Sequence, residues 1–335
     1  MMHLLLCTLG ILAMVGSAAA SAPGVAAVTV QPRPEIGAFI GEMVERHGFK
    51  QAELESIFGG AQFQPAIIKA ISQPATSRPW YEYRPVFINP RRIAGGVAFW
   101  NSYATTLARA RKEFGIPEEI IAAVIGVETN YGTQTGKHRV LDALTTLAFD
   151  YPKRSGFFRN ELEQYLLLGR ERGADMLNIK GSYAGATGIP QFMPSSYRRY
   201  AIDFDGDGKV DLSGSTADAI GSVANYLKSF GWETGKTIAI PALVSGENYR
   251  EALFAGSKPL YTVEEMRKLG VTSPADVPSD RQATLVELAN TAGNEYWLGF
   301  NNFFVITRYN RSVHYAMSVL QLAEEIRAAR NSDLR

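Results

Sequence analysis

The segment that most constrains the fold is IIAAVIGV, residues 120–127, in which no side chain is polar. Pro117, Glu118 and Glu119 precede it. Proline in a first turn and acidic groups at the positive end of the helix dipole both favour a helix starting there. A helix that is apolar all round must be buried all round, so other elements have to surround it. The run ends at Glu128, followed by Thr129, Asn130, Tyr131 and Gly132, where a buried helix emerges into a polar turn. Desolvation at such a place disfavours the ionised carboxyl and raises its pKa, which suits a general acid working near neutral pH. The alternative reading is a glutamate at an exposed helix end.

The 335 residues allow one large domain or two to three small ones, and 46% hydrophobic with 20% charged residues is an ordinary globular composition. The 34 basic and 33 acidic side chains nearly cancel. That excludes a dominant electrostatic attraction to nucleic acid or an anionic membrane and suits a neutral or mixed-charge polymer. Residues 1–20, MMHLLLCTLGILAMVGSAAA, read as a signal peptide cleaved near Ala20, with a transmembrane anchor as the alternative. The expected location is the periplasm. Cys7, the single cysteine, lies in this leader after Leu6, so neither a lipid anchor nor a disulfide is expected.

Apolar spacing predicts helices in IGAFIGEMVERHGF and QAELESIF, across Ile93 to Phe114 with Gly115 as the stop, and at Phe157 to Leu168, Ser195 to Tyr200 and Ala217 to Phe230. An aromatic stretch, PWYEYRPVF, lies between the first pair and the third. Residues 236 to about 290 mix Val, Thr and Pro and predict a small β or α+β insert. Helical spacing returns in SVHYAMSVLQLAEEIRAAR.

Two segments carry sugar-binding chemistry. In GSYAGATGIPQFMPSSY, residues 181–197, glycines permit close backbone approach, and Ser182, Tyr183, Gln191 and Ser196 offer hydrogen-bonding groups beside the faces of Tyr183, Phe192 and Tyr197. A tight turn leading to a capped helix is the plainer alternative. In WLGFNNFFVITRYNRSVHYAM most aromatics belong to a core, and Tyr309 and Asn310, between Arg308 and Arg311, have the character of cleft residues. A third segment, DFDGDGKVDLSGSTAD at 203–218, opens like an EF-hand loop. Asp203, Asp205 and Asp207 take alternate places, Gly208 the sharp turn, and Lys209 offers its carbonyl. Gly214 stands where a closing glutamate would, so Asp218 is the natural last ligand, and Asp211 is a surface or cap residue. The expected ion is a structural Ca2+, against a plain Asp-Gly turn.

GVETNYG, LDALTTLAFDYPKR, GSYAGATGIPQFMPSSY, DFDGDG, DAIGSVANYLKSFGW and NFFVITRYNRS, taken together, resemble the lytic murein transglycosylase B family from about Phe39 to Ile326. The resemblance implies an α+β, mainly helical fold: a lysozyme-like core with an EF-hand-like ion loop, an added helical domain and a small β domain around a peptidoglycan groove. The implied division is a signal peptide at 1–20, a mobile leader at 21–34 and a helical domain at 35–115. The catalytic core with its loop follows at 116–235, the insert at 236–292 and a return to core and groove at 293–328. Glu128 takes the place of the family's catalytic glutamate. Ser182, Tyr183, Gln191, Tyr226, Tyr309, Asn310 and Tyr315 fall on groove positions, and Arg154 on one that meets the stem peptide. Asp203, Asp205, Asp207 and Asp218 fall on ligand positions. One departure is Thr187, where the family usually has Met. The lipid-free leader fits a soluble variant.

The implied reaction cleaves the β-1,4 bond between N-acetylmuramic acid and N-acetylglucosamine without water. Glu128 acts as acid and then base, the muramyl acetamido group assists, and the C6 hydroxyl closes a 1,6-anhydro ring. No organic cofactor is needed. The implied partners are glycan strands, their stem peptides and, among proteins, cell-wall synthases. The rival readings are a lysozyme-like hydrolase, if Asp142, Asp150 or Glu161 approaches Glu128, and a non-catalytic glycan-binding scaffold.

Overall fold

The computed structural model describes residues 33–72 and 78–333; the expected signal peptide, and the 21–34 leader up to residue 32, lie outside the described residues. Ile120 to Ile125 and Val127 are all buried, none more than 8% exposed. At about 1.5–3 kcal/mol for each Ile or Val side chain removed from water, they make the Glu118–Thr129 helix the axis of the largest core. The Pro90–Ser102, Ala104–Phe114, Thr216–Ser229 and Val313–Asp333 helices pack around it.

A second core lies where the Pro34–His47, Gln51–Gly59 and Pro65–Ile71 helices set Phe39, Met43, Leu54 and Ile67 against the Val140–Asp150 and Ser155–Arg172 helices. The 35–115 stretch, expected as one helical unit, thus divides between two cores. Its first three helices turn their apolar faces to Leu144, Leu147, Phe158 and Leu162. Trp80, Tyr83, Val97, Phe99 and Leu107 join the core around the central helix instead.

The third core belongs to an antiparallel sheet of five strands in the order Tyr261–Thr262, Gln282–Asn290, Gly293–Gly299, Ala239–Val244 and Val271–Thr272. The Gln282–Asn290 strand is buried on both faces. Ala283 and Leu285 face the core formed with the Tyr249–Phe254 and Val263–Lys268 helices, whereas Val286 and Leu288 join the central core. This explains why a strand in an antiparallel sheet reads as a nearly continuous apolar run.

Several expectations are corrected. The Ile93–Phe114 helix is two helices broken at Tyr103, which leaves helical geometry at φ −117°, ψ 25°. One straight helix of that length would run about 33 Å and carry part of its apolar face past the core. Gly115 does end the second piece. The sheet continues to Gly299, past residue 292, because Gly293–Gly299 pairs with both long strands. PWYEYRPVF contributes a helix, Trp80–Phe87, and LDALTTLAFD another, Val140–Asp150. Among the described residues, no helix is long and apolar enough to cross a membrane.

Candidate active site

Glu128 is the penultimate residue of the central helix and is half-buried. Burial pushes its carboxyl up from 4.5 to about 7, opposed only by the Tyr315 hydroxyl, which donates to Glu128 Oε1 at 2.6 Å. No other charged group contributes. Tyr83, Tyr226, Tyr309 and Tyr315 all feel the Glu128 charge and, being buried as well, have raised pKa values, so Glu128 is set among neutral phenols. Burial raises Tyr83 to about 12.

The turn after Glu128 is held from below. Tyr131 adopts the left-handed region at φ 61°, sparsely populated for an aromatic residue, directly after Asn130 at φ 49°. Its ring lies against Gly126, where an added Cβ would stand 2.7 Å from the ring, and its hydroxyl donates to the Arg92 carbonyl at 2.8 Å. A helix-interior glycine costs about 1 kcal/mol relative to Ala; here it makes room for that ring. The Arg92 guanidinium donates to the Gly126 carbonyl. Thr129, fully buried, donates to the Ile189 carbonyl at 2.8 Å and accepts from Gly132 N at 3.0 Å, tying the turn to the glycine-rich segment.

That segment folds back on itself. Thr187 and Phe192 exchange backbone hydrogen bonds at 2.9 and 3.0 Å, and Ser182 Oγ accepts from the amides of Ala184 and Ala186. Gln191, at φ 52°, donates its side-chain amide to the carbonyls of Thr135 and Gly188. Gly188, at φ 73°, comes so close to Leu212 that a Cβ would lie 2.6 Å from its carbonyl oxygen, the acceptor for Ile189 N at 2.7 Å. Tyr183 stays exposed. From the other wall the Tyr309 hydroxyl donates to the Pro190 carbonyl at 2.6 Å, and the Tyr309 ring stacks on Tyr315 at 6.3 Å and 14°. Tyr226 is more deeply covered than a groove-lining position would be: it is buried and donates to the Arg308 carbonyl. Asn310 is exposed. Arg154, also exposed, holds its guanidinium over the Phe157 ring at 4.4 Å.

The carboxylates weighed as a second catalytic group are engaged elsewhere. Asp142 pairs with Arg139 and accepts from Gln62 N, and Asp150 pairs with Arg33. Glu161 accepts from both the amide and the hydroxyl of Ser195.

In the acidic loop, carboxylate oxygens of Asp203, Asp205 and Asp218 lie within 4.8 Å of one another, a hard-oxygen donor set that fits a divalent cation such as calcium. Asp207 stands outside this group and accepts from Lys209 N. Asp218 is buried and accepts from the amides of Phe204, Asp205 and Asp211, so it also fixes the shape of the loop. Asp211 accepts from the amides of Ser213 and Gly214 within its own turn, and the helix that follows is capped by Ser215.

The family described as Transglycosylase SLT domain matches residues 31–324. Membrane-bound lytic murein transglycosylase B of Escherichia coli (strain K12) is 43% identical over 307 residues, 89% of this chain and 84% of that protein. Soluble lytic transglycosylase SltB1 from Pseudomonas aeruginosa superposes with a TM-score of 0.83 at 48% identity, covering 89% of this chain and all of that one. The Escherichia coli lytic transglycosylase SLT35, in a structure with calcium, gives 0.81 at 42% identity over 89% of this chain and 94% of that one. The chain belongs to the lytic murein transglycosylase B family. Its α+β architecture is the lysozyme-like one of that family.

Against the family pattern, Thr187 is buried and its hydroxyl reaches the Phe192 carbonyl at 3.4 Å, so the shorter side chain is satisfied within the turn. Sequence reasoning missed Tyr83, Tyr131, Arg92 and the role of Thr129. The only signals were the aromatic stretch holding Tyr83 and the glycine inside an apolar helix at 126.

Proposed function

We propose that Glu128 is the single acid and base of this peptidoglycan lytic transglycosylase. The observation that carries the assignment is a carboxyl raised to about 7, with one phenol partner and no charged neighbour acting on it. Near neutrality such a group is protonated often enough to give its proton to the glycosidic oxygen between N-acetylmuramic acid and N-acetylglucosamine. As the C1–O bond breaks, the muramyl acetamido oxygen shares the positive charge at C1. The Glu128 carboxylate then takes the proton of the muramyl C6 hydroxyl, whose oxygen bonds to C1 and closes the 1,6-anhydro ring. The proton returns to Glu128 and no water is consumed. A two-carboxylate hydrolase needs a second acid at a set separation, and Asp142, Asp150 and Glu161 are all engaged elsewhere.

Around this step Ser182, Tyr183, Gln191, Tyr309 and Asn310 form the walls that hold the sugars, Tyr226 backs Tyr309, and Tyr315 positions the carboxyl. Arg154 meets a stem-peptide carboxylate at the rim. Asp203, Asp205 and Asp218 hold a structural Ca2+, with Asp207 and the Lys209 carbonyl completing the set; the cation neutralises the clustered carboxylates and stiffens the loop. The protein acts in the periplasm after removal of residues 1–20, and its protein partners are cell-wall synthases.

The test is mass spectrometry of muropeptides released from purified sacculi, with Glu128→Gln as the control. Products lighter by about one water than hydrolysis products, absent with the variant, support the reading. Reducing muramic acid ends would replace it with a hydrolase, and binding without cleavage with a scaffold.

A further inference from the structure

A continuous track of rings leads away from Glu128. Tyr315 touches the carboxyl, Tyr309 stacks on Tyr315, Tyr226 meets Tyr309 at 4.8 Å, and Phe230 meets Tyr226 at 4.6 Å. Tyr200 closes the end, 5.0 Å from Tyr226 and 5.4 Å from Phe230. Tyr315 and Tyr226 are buried, whereas Tyr309 between them and Tyr200 and Phe230 at the outer end are half-buried. At the outer end a guanidinium lies over each ring, Arg308 over Phe230 at 5.3 Å and Arg199 over Tyr200 at 5.4 Å. Neither arginine is in an ion pair with an acidic side chain among the described residues, although the chain as a whole is nearly neutral.

A guanidinium laid on an aromatic face keeps the in-plane N–H donors at its edge, in a fork matched to a carboxylate. While a stem peptide is attached, the lactyl carboxyl of its muramyl sugar is tied up as an amide, so the free carboxylates of such a strand are carried by the stem peptides. We propose that Arg199 and Arg308, above Tyr200 and Phe230, form a stem-peptide site that binds a carboxylate of the peptide on a muramyl unit beyond the cleaved bond. This rests on the transglycosylase reading of Glu128. It gives the groove a second cationic rim, built like Arg154 over Phe157 but on different elements.

The experiment compares two substrates, glycan strands that keep their stem peptides and strands of the same length stripped by an amidase with the freed lactyl carboxylates then capped as neutral amides, and counts chain cuts. Arg199→Ala/Arg308→Ala should raise KM about tenfold on peptide-bearing strands, leave kcat nearly unchanged, and leave the stripped strands unaffected. Raising salt should raise the wild-type KM on peptide-bearing strands only. Arg199→Glu, at an exposed position, repeats the test with a single change and should show the same selectivity. Equal losses on both substrates, or no change on either, would overturn the site and leave the arginines as covers for the rings. Product chemistry reports separately: reducing ends from the wild-type enzyme would sink the transglycosylase reading, whatever the KM pattern.

Discussion

Two glutamates sit in buried helices on either side of the glycine-rich segment, and burial raises the carboxyl pKa of both. Glu161 is nearly fully covered and accepts from Ser195 N and Ser195 Oγ, with Arg154 adding a favourable charge. Glu128 is half-buried and has a single phenol partner. The first carboxyl is spent on anchoring the Pro194–Tyr200 helix to the Ser155–Arg172 helix. The second keeps an oxygen free. A raised pKa alone therefore does not separate the proposed acid from a structural one; the two carboxyls differ in the hydrogen-bonding capacity they leave unused.

The sharpest way to break this contrast is activity. Glu128→Gln should lower turnover on sacculi about 10³-fold or more, whereas Glu161→Gln, which preserves an acceptor for Ser195, should keep most of it. Stability should reverse the ranking. Glu161→Ala strands the Ser195 donors and should cost about 1–3 kcal/mol in denaturant unfolding, with activity falling only as far as the Pro194–Tyr200 helix loosens. Glu128→Gln should instead stabilise, in a pH-dependent way. The folded carboxyl is raised from 4.5 to about 7, so the native state binds more protons than the unfolded one across that window. The stability tied to Glu128 is complete below 4.5 and lost as pH rises through about 7. Partial exposure trims the effect, and the variant should gain roughly 1–3 kcal/mol over wild type at pH 8 and nothing at pH 4. The smallest effect is on the pH–rate profile, which should descend as pH rises through about 7. Tyr315→Phe removes the one bond that lowers the Glu128 pKa, so the descending limb should move to higher pH; a limb that stays or moves down would show that Tyr315 does not set this titration.

Much of this contrast was legible in the residues. The apolar run to Glu128, the glycine-rich segment and the acidic loop are local patterns, and local patterns survive folding. What was not legible depends on which apolar faces find each other. Nothing local separates the face of the Pro65–Ile71 helix from that of the Trp80–Phe87 helix, yet they enter different cores. Tyr83 feels the Glu128 charge because the latter helix docks on the Val313–Asp333 helix and the Gln282–Asn290 strand. Asp207 has the same spacing as Asp203 and Asp205, but it is their carboxylates that cluster with Asp218, brought in from a later helix. Glu161 could be singled out as a possible second acid, but its actual partner, Ser195, lies 34 residues further along the chain.

The Tyr131 ring occupies a slot roofed by Gly95 and Gly96 on one helix and Gly126 on the other, each within 2.9 Å of the ring or its hydroxyl if a Cβ is added. Replacing Tyr131 by Gly would relieve the positive φ and leave a phenol-shaped void directly beneath the proposed acid. Voids of that shape with apolar walls take up small aromatic molecules. An enzyme carrying this change would be slack when empty and restored when phenol fills the slot, so that its rate could be dosed from outside the protein.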